Sequence, residues 1–162
     1  FQSILGINNI FLNSIDSWLP VKTAEIFKEK SPSNFRKSIN QIILNYYFLF
    51  LVVFLFFIIF SNLILFFLDK STLNYLFSFR LFCITYLLIA LNYPIKGILL
   101  GIEKTVSNFY SSIFSVFLIL TLGSYLIKIF SLNGVMLTYI TYQLAILLTN
   151  AFYLRKKLLY LK

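Results

Sequence analysis

Apolar residues do not alternate along this chain; they run together. From Ser38 to Leu68 no charged residue interrupts the sequence, and residues 42–60 are mostly Leu, Phe, Ile and Val. Uncharged runs also cover 105–127 and 129–154, and the stretch 76–95 is broken only by Arg80. A helix that crosses a bilayer needs about 20 mostly apolar residues. The opening residues, 1–19, read as the end of one more such helix, with Asp16 close to its finish. The predicted spans are therefore about 1–20, 40–62, 76–96, 106–128 and 134–155. Barrel strands are excluded, because the runs are too long and too evenly apolar for alternating strands. The fold class this predicts is an all-α membrane protein, an antiparallel bundle of about five transmembrane helices in one domain covering 1–162.

The breaks between runs carry signals of their own. Lys22, Glu25 and Lys28 keep helical spacing beyond Pro20, so the first helix is expected to continue past the proline. Ser31-Pro32 reads as an N-cap with proline in the first helical position. Phe35, Ile39 and Ile42 then share a face, which suggests a short amphipathic lead-in along the membrane surface. Asn133-Gly134 reads as a tight turn between two antiparallel helices. No repeat of solenoid period is visible.

Charge adds an orientation. Of 14 basic residues, eleven fall in the segments 20–37, 96–108 and 155–162, and only Lys70, Arg80 and Lys128 fall in the alternate set. Basic residues near span ends stay on the cytoplasmic side. The first span is thus expected to run outside to inside, and the others to alternate after it. The net charge of +9 does not point to nucleic acid, because the basic residues sit in short clusters between apolar runs rather than along a stripe.

The overall composition agrees with lipid as solvent. The chain is 60% hydrophobic and 12% charged, with a mean hydropathy of +0.89, against about half and about a quarter in soluble domains. Histidine is absent and Cys83 is the single cysteine, so intrachain disulfides, zinc constellations and Ser-His-Asp or Cys-His catalysis have no residues to use. Of the five carboxylates, Asp16, Glu25, Glu29, Asp69 and Glu103, no two lie together within one predicted span. No enzyme, metal or cofactor is expected. A chain that opens on Phe1 inside an apolar helix, with no basic n-region, reads as a fragment of a longer protein rather than as one with a signal peptide.

The candidate functional residues are polar groups inside apolar runs. Gln2, Gly6, Asn9, Asn13, Asp16 and Pro20 recur at spacings of four and three, which puts them on one helix face. Such a face avoids lipid. It serves either as helix–helix glue or as the lining of a hydrophilic cavity. Arg80 lies about one turn into its span; it either snorkels to the interface or meets an anionic phosphate through its planar fork. Asn92-Tyr93-Pro94 marks a position where proline removes a backbone bond and permits a kink. Ser111, Ser115, Thr121 and Ser124 read as hydroxyls bonded back to their own helix.

The order of features resembles the C-terminal half of polysaccharide flippases of the MATE-like (multidrug/oligosaccharidyl-lipid/polysaccharide) superfamily. The matching pieces are Trp18-Leu19-Pro20 running into the charged segment Lys22–Lys37, and Arg80-Leu81-Phe82 opening a span. To these add the glycine-bearing segment Lys96-Gly97-Ile98-Leu99-Leu100-Gly101-Ile102-Glu103-Lys104, and Leu132-Asn133-Gly134-Val135 before a last span and basic tail. The resemblance implies roughly the last five of twelve helices, one part of a MATE-like lobe, paired with an N-terminal lobe of the same protein. It implies flipping of a lipid-linked oligosaccharide, such as an O-antigen or lipopolysaccharide precursor, across the bacterial inner membrane by alternating access. Asn9, Asn13, Asp16, Arg80 and Asn92 would then line the substrate cavity. Rival expectations are a MATE-type drug or cation antiporter using Asp16, and a structural subunit of a membrane complex.

Overall fold

The computed structural model describes residues 2–29, 31–68, 70–102 and 105–160, and all of its regular structure is helical. The elements are α1 (Gln2–Glu29), α2 (Pro32–Ile59), α3 (Ser61–Leu68), a 3₁₀ turn (Lys70–Tyr75), α4 (Leu76–Gly101), α5 (Thr105–Leu118), a π-helical turn (Ile119–Gly123) and α6 (Ser124–Tyr160). Among the described residues, three stretches are long and apolar enough to cross a membrane: Ser33–Ile59, Leu73–Gly101 and Val106–Leu159. The last has 54 residues, far more than the roughly 20 that one crossing takes.

That long stretch is two helices folded against each other. Ser131 breaks α6 with φ 50° and ψ −122°, the one non-glycine residue with positive φ among those described. Gly123 lies against Thr138 and Gly134 against Leu126, so the chain doubles back around residue 131. The dipeptide Asn133-Gly134 had suggested a turn, but the turn is not made there. No described glycine has positive φ. Gly134 is helical and buried, and it is spent on close approach: a Cβ there would run into the carbonyl of Leu126. Small residues prepare the same contact, with Ser107, Ser111 and Ser115 buried on α5 and Gly123 buried in the π-helical turn.

α4 is the hub on which the other helices pack. α1 runs parallel to it, with Leu19 against Gly97 and Pro20 and Thr23 against Gly101. α2 runs antiparallel, since Tyr47 Oη donates to the Leu91 carbonyl at 3.2 Å while Arg80 Nε donates to Ser61 Oγ at 3.3 Å. The segment 132–160 is parallel again, because Ser78 bonds Asn133 and Asn92 bonds Gln143. The senses of the helices therefore alternate as the basic clusters predict.

Two apolar clusters mark the two ends. At one end Leu19, Ile26, Phe35, Ile39, Ile95, Ile98, Leu99, Ile102 and Leu154 join α1, α2, α4 and α6. At the other, Leu65, Phe79 and Cys83 join α3 and α4. Pro20 sits inside α1 and the helix continues past it, as its flanking spacing predicts. Pro32 holds the first turn of α2, but Ser31 makes no side-chain cap bond. The amphipathic face beyond it differs from the expectation. Phe35 and Ile39 are 1% and 0% exposed and belong to the first cluster, so α2 is one helix from Pro32 and its face turns to protein rather than to a membrane surface. Phe27 meets Phe35 edge-on, at 5.2 Å between ring centres, and locks that hairpin.

Substitutions at the glycines test these crossings. Gly134→Ala meets fixed backbone and should lower stability by about 1–3 kcal/mol, the usual range for overpacking. Gly101→Ala places Cβ 2.5 Å from the Pro20 carbonyl and should also destabilise. Gly97→Ala meets only the Leu19 side chain, at 3.1 Å, and should be the mildest. Apparent melting temperatures of the purified chain in detergent rank the three, and a Gly97 variant less stable than the Gly134 variant would contradict this geometry.

Candidate functional site

Of the five residues singled out in the sequence, three have described side chains; those of Asn9 and Asp16 lie outside the described residues. Asn13 is exposed on α1. Arg80 and Asn92 are on the same helix but are not brought together. Twelve residues separate them, about 18 Å along the axis and a third of a turn apart around it.

Asn92 is 6% exposed and faces the segment 132–160. Its Nδ2 donates to the backbone carbonyl of Gln143 at 3.0 Å and to Gln143 Oε1 at 2.9 Å. Its Oδ1 is buried without a hydrogen-bond partner. One amide thus fastens two parallel helices, which is the role polar side chains play where apolar surface cannot choose a partner. Nearby, Tyr47 bonds the Leu91 carbonyl in the turn preceding Pro94, where proline removes an intrahelical donor.

Arg80 is built differently. It is exposed, and Nε reaches Ser61 Oγ at the junction of α2 and α3. Ser61 is fully buried and itself donates to the Ile58 carbonyl at 2.8 Å, a side-chain bond that accompanies the end of α2. The guanidinium is oriented by this anchor while its two Nη groups have no partner among the described residues. Beyond the junction a shallow groove is lined by Ile59, Phe60, Asn62, Leu63, Phe66 and Leu73, most of it apolar.

Charge is sorted by end. Lys22, Lys28, Arg36, Lys37, Lys96, Arg155, Lys156 and Lys157 all lie near the first apolar cluster, where α1, α4 and α6 finish and α2 starts. Arg80 and Lys128 lie toward the opposite end. Lys22 pairs with Glu25 at 3.1 Å on an exposed turn, a contact worth little by itself. Among the described residues no group of His, Cys, Asp and Glu could hold a metal ion. The hydroxyls of Ser111, Ser115, Thr121 and Ser124 bond carbonyls of their own helices, as the sequence suggested.

Three partners escaped the sequence reading: Gln143, Ser61 and Ser78. Gln143 was the most findable, as the single Gln in the apolar run 129–154. Ser61 and Ser78 look like ordinary small residues until the crossing places an acceptor or donor beside them.

Comparison with protein families, with curated proteins and with solved structures finds no match.

The Asn92–Gln143 bond predicts a measurable coupling. In a double-mutant cycle of Asn92→Leu and Gln143→Leu, the interaction energy should be about 0.6 kcal/mol and at most about 1.7, the range of side-chain bonds between membrane helices. Purely additive effects on unfolding in detergent would remove it as a fastener.

Proposed function

We propose that this chain is a membrane-embedded part of a transporter that flips lipid-linked oligosaccharide across the bacterial inner membrane. The observation that carries the reading is the pairing of alternating helix sense with basic residues gathered at one end. A basic end faces the cytoplasm in a multi-pass membrane protein. The outer surfaces support it: Phe48, Ile59, Phe67, Leu120 and Leu148 are each at least two-thirds exposed, and many other large apolar side chains are exposed with them. Soluble monomers rarely expose contiguous apolar surface on this scale.

The transport reading rests further on the resemblance of the chain to polysaccharide flippases. In it, an N-terminal lobe of the same protein completes the cavity and no nucleic acid is involved. Arg80 stands at the end away from the basic cluster, held by one nitrogen, with its two Nη groups unpartnered among the described residues. A diphosphate head is the group that a guanidinium fork fits. The second reading is a structural subunit of a membrane complex. It is favoured by Asn92, which is used to fasten helices rather than to line a cavity. A drug or cation antiporter would depend on Asp16, and nothing on the described side chains supports it.

Cysteines placed at Asn74 and Lys128 should label from the periplasmic side in intact cells, and those at Ser33 and Lys156 only after permeabilisation. Glycan export by the full-length flippase, in cells lacking their own copy, tests the substrate contact. Arg80→Lys should reduce export partly and Arg80→Gln nearly abolish it, with insertion unchanged. Normal export with Gln at this position would sink the transport role of Arg80.

A further inference from the structure

α2 uses one face for the bundle and leaves the opposite face with a pattern of its own. The core-facing residues are Phe35, Ile39, Ile42, Ile43, Tyr46, Tyr47 and Phe50. Nearly opposite them runs a line spaced alternately by four and three: Asn34, Ser38, Gln41, Asn45, Phe48, Val52, Leu55 and Ile59. Apart from the half-buried Ser38, every member is exposed. Asn34, Gln41 and Asn45 make no hydrogen bond to any described residue.

This spacing is a heptad seam, with Ser38, Asn45, Val52 and Ile59 at one core position and Asn34, Gln41, Phe48 and Leu55 at the other. A seven-residue repeat sustained over more than three heptads suits a left-handed helix pair. Lipid contact alone gives no reason for amides on this line. An exposed carboxamide several residues inside an apolar run is disfavoured against hydrocarbon, and across a helix interface it finds partners. The occupant is specified by chemistry. A carboxamide both donates and accepts, so it complements an identical carboxamide. A single Asn at the first core position, with β-branched Val52 and Ile59 in the same set and Leu55 in the other, is the combination that favours two parallel strands in one register. No acidic residue lies on α2 to call for a basic partner, and Lys37 flanks the seam at its wet end, where like charges are screened.

We propose that the outer face of α2 binds the same face of a second copy of this chain, forming a parallel two-fold dimer registered by Asn45 against Asn45. The proposal needs the chain to be inserted in a membrane and does not depend on what it transports. Resistance of the chain to alkaline extraction from membranes checks insertion separately.

The test uses the whole chain in membranes, in a Cys83→Ala background. Single cysteines at Phe48 and Val52 on the seam should form disulfide-linked dimers on mild oxidation. A cysteine at Phe117, equally exposed but on α5, should form few. Adding Asn45→Leu to the Val52→Cys chain should lower dimer yield about threefold, in line with one side-chain bond between membrane helices. Asn45→Gln, which keeps the amide, should largely preserve it. Both variants should melt like the parent in detergent, since Asn45 is exposed and makes no hydrogen bond among the described residues. Equal yields from Phe117 and Val52, cross-links only to a different protein, or an unchanged yield with Asn45→Leu would each overturn the proposal.

Discussion

Helix crossings at which no side chain fits decide how this chain is arranged. The carbonyl of Pro20 and the side chain of Thr23 press on Gly101, Leu19 presses on Gly97, and the backbone of Leu126 presses on Gly134. Ordinary hydrophobic burial cannot do this selecting, because almost every face of every helix is apolar and many stay exposed. Where all faces are alike to the solvent, close packing and hydrogen bonds between helices set who meets whom. At Gly101, Gly123 and Gly134 a neighbour comes too near for a Cβ, and at Gly97 the Leu19 side chain would have to give way slightly. The amides and hydroxyls at Asn92–Gln143, Ser78–Asn133 and Arg80–Ser61 then fix the levels along the axes.

Much of the helix plan was legible before the structure. Apolar runs gave the elements, and the spacing of Lys22, Glu25 and Lys28 gave the continuation of α1 beyond Pro20. Basic clustering gave the alternation of sense, which the crossings reproduce. What could not be read was the use of particular small residues. Gly134 beside Asn133 has the form of a turn dipeptide, but the reversal falls at Ser131, since Gly134 is needed as a gap for Leu126. A sequence shows that a residue is small; it does not show whether the smallness serves backbone rotation or a neighbour's approach. Phe35 and Ile39 carried a similar ambiguity. Their shared face was visible, but whether membrane or protein lay against it was not.

The candidate polar residues divide along the same line. Asn92 was visible as an amide in an apolar helix, and a polar group in that setting needs a partner. Its partner, Gln143, stands 51 positions away, and only the crossing of α4 with the segment 132–160 reveals the pair. Arg80 was visible for the same reason, but its orientation depends on Ser61 and on the break between α2 and α3. Neither leaves a mark in composition. Charged and amide groups thus announce themselves by costing too much where they stand, while the groups that satisfy them are silent.

That asymmetry bears on α2. Tyr47 reaches the Leu91 carbonyl and Asn92 Nδ2 reaches Gln143, while Thr23 Oγ1, Asn92 Oδ1, both amide atoms of Asn108 and Asn150 Oδ1 are buried with no partner among the described residues. Asn34, Gln41 and Asn45 lie on the outward face and have no hydrogen-bond partner among the described residues. Interfacial water could satisfy Asn34 beside Arg36 and Lys37. Asn45 lies 11 residues further on, about 16 Å along the axis, with Phe48 and Leu49 following it. At that depth an unpartnered amide is costly, because hydrocarbon offers no donor or acceptor. A partner helix carrying its own amide at the same level meets the requirement, and α2 of a second copy carries one by construction.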